Sequence, residues 1–107
     1  MAEPRIETTA VEELDGKPHA VAFPDVEPRT IRLELDEGER IDSHEHPGRH
    51  VVLFVLEGRL DLSVGDERRE LVAGDLARFD GDHEISPEAI ETSAALIVLS
   101  PAATDRT

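Results

Sequence analysis

The stretch Gly38–Gly58, GERIDSHEHPGRHVVLFVLEG, constrains this chain more than any other. It closes on an unbroken apolar run, Val51 to Leu56, far too short to span a bilayer and apolar at both strand parities. Such a run between Pro47-Gly48 and Glu57-Gly58 reads as a strand covered on both faces, the wall of a closed sheet. Ahead of it stand His44, His46 and His50. Residues two apart on an extended segment project the same way, so His44 and His46 point together, with Asp42 at their parity and Ser43 and Glu45 opposite. Two imidazoles on one side suit convergence on one metal ion.

The rest of the chain alternates short apolar runs with turn residues. His19–Phe23 is a strand candidate between Pro18 and Pro24, followed by the loop PDVEP. In Thr30–Asp36, Ile31, Leu33 and Leu35 alternate with Arg32 and Glu34, the pattern of a half-buried strand. Asp36–Glu39 turns the chain, and Arg40–His46 reads as a second extended segment. Leu60, Leu62 and Val64 alternate with Arg59, Asp61 and Ser63. Arg69–Val72 and Leu76–Phe79 follow as strands, separated by Ala73-Gly74-Asp75. Asp80-Gly81-Asp82 turns into a strand that starts at His83–Ser86, and Ser86-Pro87-Glu88 reads as a connection. Ala94–Leu99 is a last buried strand. Strands this short, with turns about every 8–12 residues, predict an all-β sandwich or barrel and no long helix. At 107 residues there is room for one core. Residues 1–17 are expected to form an N-terminal arm with at most one short strand, 18–100 the domain, and 101–107 a flexible tail.

Charge narrows the function classes. Asp and Glu number 25 against 11 Lys and Arg, for a net charge of −14, and Lys17 is the only lysine. Such a chain repels phosphate backbones and anionic lipid, so neither nucleic acid nor membrane is an expected partner. An acidic surface with scarce lysine resembles proteins of salt-loving archaea, where molar salt screens the self-repulsion. The absence of cysteine rules out disulfide, iron–sulfur and thiolate zinc sites. Glu3, Arg5, Glu7, Glu12 and Glu13 interrupt the first fifteen residues, leaving no apolar leader core; a cytoplasmic location is expected.

The ordered residues resemble the cupins. That family's first motif has the form G-x5-H-x-H-x(3,4)-E-x6-G, and here Gly38, His44, His46 and Gly58 fall in place. The second motif is roughly G-x5-P-x-G-x2-H-x3-N; Gly74-Asp75 opens the corresponding stretch, and Asp80-Gly81-Asp82-His83 stands near its P-x-G-x2-H part. The resemblance covers about residues 30–99. It implies an all-β fold, a small cupin β-barrel or double-stranded jelly roll, with a site inside. The metal ligands it implies are His44, His46 and, with one residue fewer after Gly81, His83. The family's glutamate has no counterpart: one spacing lands on Val51, the other on His50. Either Val51 faces the barrel interior and His50 points out, or a bulge at Pro47-Gly48 turns His50 inward as a fourth ligand.

Imidazoles in such a set suit zinc, iron, nickel, copper or manganese, with open positions for water or substrate. Asp42, Glu45 and Asp82 are candidate partners for the rings. The reaction implied is that of a dioxygenase or isomerase; the alternative is a metal-free cupin that binds a small ligand or a partner without catalysis. His19 falls in no motif and reads as a surface or interface residue. Phe54 and Phe79 read as core, and Arg49 and Arg78 as partners of the abundant carboxylates. The apolar runs Val51–Leu56 and Ala94–Leu99 exceed what one small barrel needs, so a homodimer is expected, with the N-terminal strand crossing between subunits.

Overall fold

The computed structural model describes residues 6–102; residues 1–5 of the expected arm and 103–107 of the expected tail lie outside the described residues. Eight strands form: β1 (His19–Val21), β2 (Arg29–Leu35), β3 (Arg49–Glu57), β4 (Arg59–Val64), β5 (Glu67–Val72), β6 (Leu76–Asp80), β7 (Ile85–Ala89) and β8 (Ser93–Pro101). They make a five-stranded sheet in the order β1-β2-β8-β3-β6 and a three-stranded sheet β5-β4-β7, antiparallel throughout. The fold is all-β, a small jelly roll. Its helical content among the described residues is a single 3₁₀ turn, Val11–Glu13, where the sequence allowed a short strand.

Register decides what faces inward. Val21, Ile31, Ile97, Leu53 and Ala77 stand opposite one another across the five strands, and Leu33, Ala95 and Val55 form the adjacent row. Leu60, Leu62, Leu71, Ile85 and Ala89 meet these rows from the smaller sheet. Burying each leucine contributes about 1.5–3 kcal/mol, which makes this interior the main source of stability.

The opposite parity of β3 is not covered as expected. Val52 and Phe54 turn outward with Leu96 and Val98 of β8 and Leu76 of β6, because paired residues of neighbouring strands share a face. Val52 is 38% exposed and Leu76 68% exposed. Phe79 packs against the core as expected, but Phe54 lies half-buried on the outer face. Nearer β1, the outer face is covered by the N-terminal segment. Arg32, only 4% exposed, donates through Nη1 and Nη2 to the carbonyls of Val11, Leu14 and Gly16, which partner the two ends of a buried guanidinium and pin residues 11–16 to the sheet. β1 pairs with β2 of its own chain.

Two further expectations are corrected. Arg40–His46 is not a strand; it touches β7 through single bridges, Arg40 to Glu88 and His44 to Ile85. β7 continues through Ser86-Pro87-Glu88, which the sequence suggested was a connection. Proline is tolerated because β7 is an edge strand of its sheet, and its carbonyl still accepts from the Ile41 amide at 3.0 Å.

Candidate ligand cavity

A cavity of 680 Å³ opens between the inner face of the larger sheet and the 40–46 segment. Ile31, Leu33, Val51, Leu53, Phe79 and Ile97 make its apolar wall. His19, Arg29, Arg40, Asp42, His44 and His46 supply its polar groups. The volume lies within the range of small-molecule sites, and an apolar wall with few polar groups is the usual composition of one.

His44 is placed by backbone bonds with Ile85 in both directions, 3.1 and 2.8 Å. Its Nδ1 lies 2.9 Å from the Asp42 carbonyl oxygen. A carbonyl only accepts, so that contact assigns the proton to Nδ1 and leaves the Nε2 lone pair free. His46 is fixed from two sides. Its amide donates to the Gly81 carbonyl at 2.7 Å, and its own carbonyl accepts from the Arg49 amide at 3.2 Å. Gly81 lies so close to the His46 backbone that a Cβ there would collide with the His46 carbonyl oxygen. The two rings meet edge to face, with centroids 4.8 Å apart at 87°.

Two of the cavity's imidazoles, His46 and His19, are held towards the neutral form. Partial burial holds the His46 imidazole below its ordinary value, and the nearby charges of His44, Arg29, Arg49 and His19 act in the same direction. His19 is lowered too, by desolvation first and by His44 second. Neutral imidazole is the form that can accept a proton or ligate a metal.

The four histidines named from the sequence are not brought together. His44 and His46 are. His50 pairs with Asp80 of β6 and faces out, while Val51, paired with Phe79, faces in. Arg78 Nη2 donates to His50 Nδ1 at 2.7 Å and to Asp80 at 3.2 Å, an arrangement on the exterior of the sheet. His83 is exposed beside the Gly65 turn and does not line the cavity. Among the described residues, no group of three or more His, Cys, Asp or Glu is arranged to hold a metal ion. Of the candidate ring partners, Asp42 acts through its backbone, whereas Asp82 accepts from the Gly48 amide at 3.0 Å.

Three cavity residues escaped the sequence reading. His19 lines the cavity because it pairs with Leu33 and shares its inward face. Its parity with Val21 was the available signal, but parity cannot be oriented until the partner strand is known. Arg29 and Arg40 sit in or next to turns, where charge usually means solvation.

A family model described as a cupin domain matches residues 31–100. The chain is a cupin. This cupin is 36% identical over 81 residues, 76% of its length, to a Pseudomonas aeruginosa protein named "Putative quercetin 2,3-dioxygenase", and spans 28% of that protein. Among solved structures it is similar to an RmlC-like cupin from Shewanella frigidimarina, with a TM-score of 0.76 at 19% identity, covering 94% of this chain and 96% of that one. The cupin domain of Schizosaccharomyces pombe Cnp3 gives a TM-score of 0.79 at 12% identity, covering 92% and 77%. KdgF from Halomonas gives 0.68 at 19%, covering 82% and 84%. At these identities the structural likenesses establish the fold alone.

Proposed function

We propose that this cupin binds a small organic molecule in its cavity and that His44 and His46 act on it, with a divalent transition metal as their shared partner. The observation that carries this reading is the pair itself: two imidazoles opening on one cavity, with centroids 4.8 Å apart, one of them with its Nε2 lone pair freed by the Asp42 carbonyl. The donor set fits a metal in part. It is all nitrogen on the protein side, which suits zinc, nickel, copper or iron better than manganese. Val51 stands where an acid would complete the set, so further positions fall to water or the ligand. When bound, the metal would supply Lewis-acid or redox chemistry. The chain's own part is to hold the ligand against the apolar wall, exclude water, and keep the His44 ring oriented and the His46 ring neutral as donors to the metal.

The name of the Pseudomonas relative favours a dioxygenase within this reading, and an isomerase uses the same groups. Elemental analysis of untagged protein, purified in high salt and reloaded, tests it. About one equivalent of metal, lost on His44→Ala with His46→Ala, is expected; less than a tenth of an equivalent after reloading would contradict it.

A second reading is favoured by the lack of a third converging donor among the described residues. In that reading the same cavity binds its ligand without metal, and His44 and His46 are hydrogen-bonding groups. Ligand affinity unchanged by a chelator would support it, and a chelator-dependent loss would remove it.

A further inference from the structure

We infer that the cavity takes a small organic anion, a carboxylate on an apolar body, with Arg29 and Arg40 as the groups that recognise it. This rests on the cavity being a ligand site, as proposed above, and adds the class of ligand. Cations are scarce in this chain. The chain has 25 acidic residues for 11 basic ones, so each cation has carboxylates to choose from. Lys17, Arg32, Arg49, Arg59, Arg68, Arg69 and Arg78 each stand within 4.0 Å of one. Among the described residues Arg29 and Arg40 form no ion pair, and both line the cavity. Both are exposed to solvent.

The surroundings add little opposing charge. His19, His44 and His46 line the same cavity, and Asp42 is the one carboxylate on its wall. A net charge of −14 repels anions at long range, and in molar salt the field reaches only about 3 Å. Selection for an anion must therefore come from direct contact, for which the guanidinium fork is suited: it pairs planar carboxylates through two parallel hydrogen bonds. Phosphate is the poorer candidate. On the larger sheet's side the cavity wall is made of strand side chains whose backbone amides are committed to the ladders, and among the described residues no glycine-rich loop or α-helix start opens on it. The apolar wall of Ile31, Val51, Leu53, Phe79 and Ile97 then requires an apolar body behind the carboxylate.

The test is calorimetric titration of the full chain in high salt with three probes of one shape: phenylacetate, phenylacetamide and phenyl phosphate. Arg29→Gln, Arg40→Gln and the double variant are compared with wild type, each checked for an unchanged thermal midpoint. Wild type should prefer phenylacetate to phenylacetamide by about tenfold or more, as expected for a charge-assisted pair. The double variant should lose that preference while its affinity for the amide stays within about twofold. Equal affinity for acid and amide in wild type would overturn the anion inference while leaving the cavity a ligand site. Preference for phenyl phosphate over phenylacetate would overturn the carboxylate assignment. A preference for the acid that survives the double variant would overturn the roles of Arg29 and Arg40. Binding of none of the three would overturn this inference together with the ligand-binding reading.

Discussion

Gly81→Ala should damage the site through the fold. Gly81 is buried, its amide donates to the Arg49 carbonyl at 2.8 Å, and its carbonyl accepts from His46 at 2.7 Å. It carries no left-handed φ, unlike Gly58 and Gly74, so alanine there suffers no backbone penalty. The cost arises from the collision of the new Cβ with the His46 backbone carbonyl, and from the backbone shift that must relieve it. Forcing one extra carbon into a packed site costs about 1–3 kcal/mol. Stretching the two hydrogen bonds adds about 0.5–1.5 kcal/mol each. A total of about 4 kcal/mol, the middle of that range, corresponds to a fall in melting temperature of about 15–30 °C for a domain of this size. Chemical denaturation in high salt measures it, with imidazole NMR resonances reporting His46. Gly38→Ala is the control. Nothing crowds that position, and only its positive φ is strained, at about 1–2 kcal/mol, so His46 should keep its resonances. A Gly81→Ala protein within about 0.5 kcal/mol of wild type, with His46 unmoved, would refute the reasoning.

Other outcomes follow from the same contacts. His46 and His19 have their pKa values held below the ordinary 6.5, so as pH falls below 6.5 the unfolded chain takes up protons first. Stability should decline in that window and be untouched by these groups above it; melting curves across it check this, and His19→Gln with His46→Gln should flatten the slope. Over the same range metal affinity should fall and carboxylate affinity rise, so paired titrations separate the two. Leu53→Ala, at a position 1% exposed in the core, should cost about 2–5 kcal/mol by denaturant unfolding. The outer patch of Val52, Phe54, Leu76, Leu96 and Val98, rimmed by Arg78 and Asp80 of opposite sign, is expected to pair with a second copy; light scattering in molar salt should give a dimer mass that Val52→Glu reduces to a monomer, and a monomeric wild type would contradict it.

Much of the fold was legible because it rests on period two. Ile31, Leu33 and Leu35 announce β2, and Leu60 and Leu62 announce β4, each with one buried face. The continuous run in β3 misled for a physical reason. An apolar residue on the outer face looks in sequence like one in a core, so Phe54 reads as core although the sheet leaves it half-covered. The cavity was half legible. His44 and His46 could be paired because they lie two apart on one extended segment. His50 could not be placed, since one residue of register separates inside from outside, and only the pairing of Val51 with Phe79 decides it. His19, Arg29 and Arg40 come together with them through pairings of β1 with β2 and the return of residues 40–44 along β7, contacts that no local pattern encodes.

The assignment of the working pair is tested most directly by metal titration of two double variants, one altering the cavity and one altering the exterior. His50→Ala with His83→Ala should bind metal as wild type does, and His44→Ala with His46→Ala should bind none, with each variant's melting temperature measured alongside. Loss of binding in the first and retention in the second would contradict it.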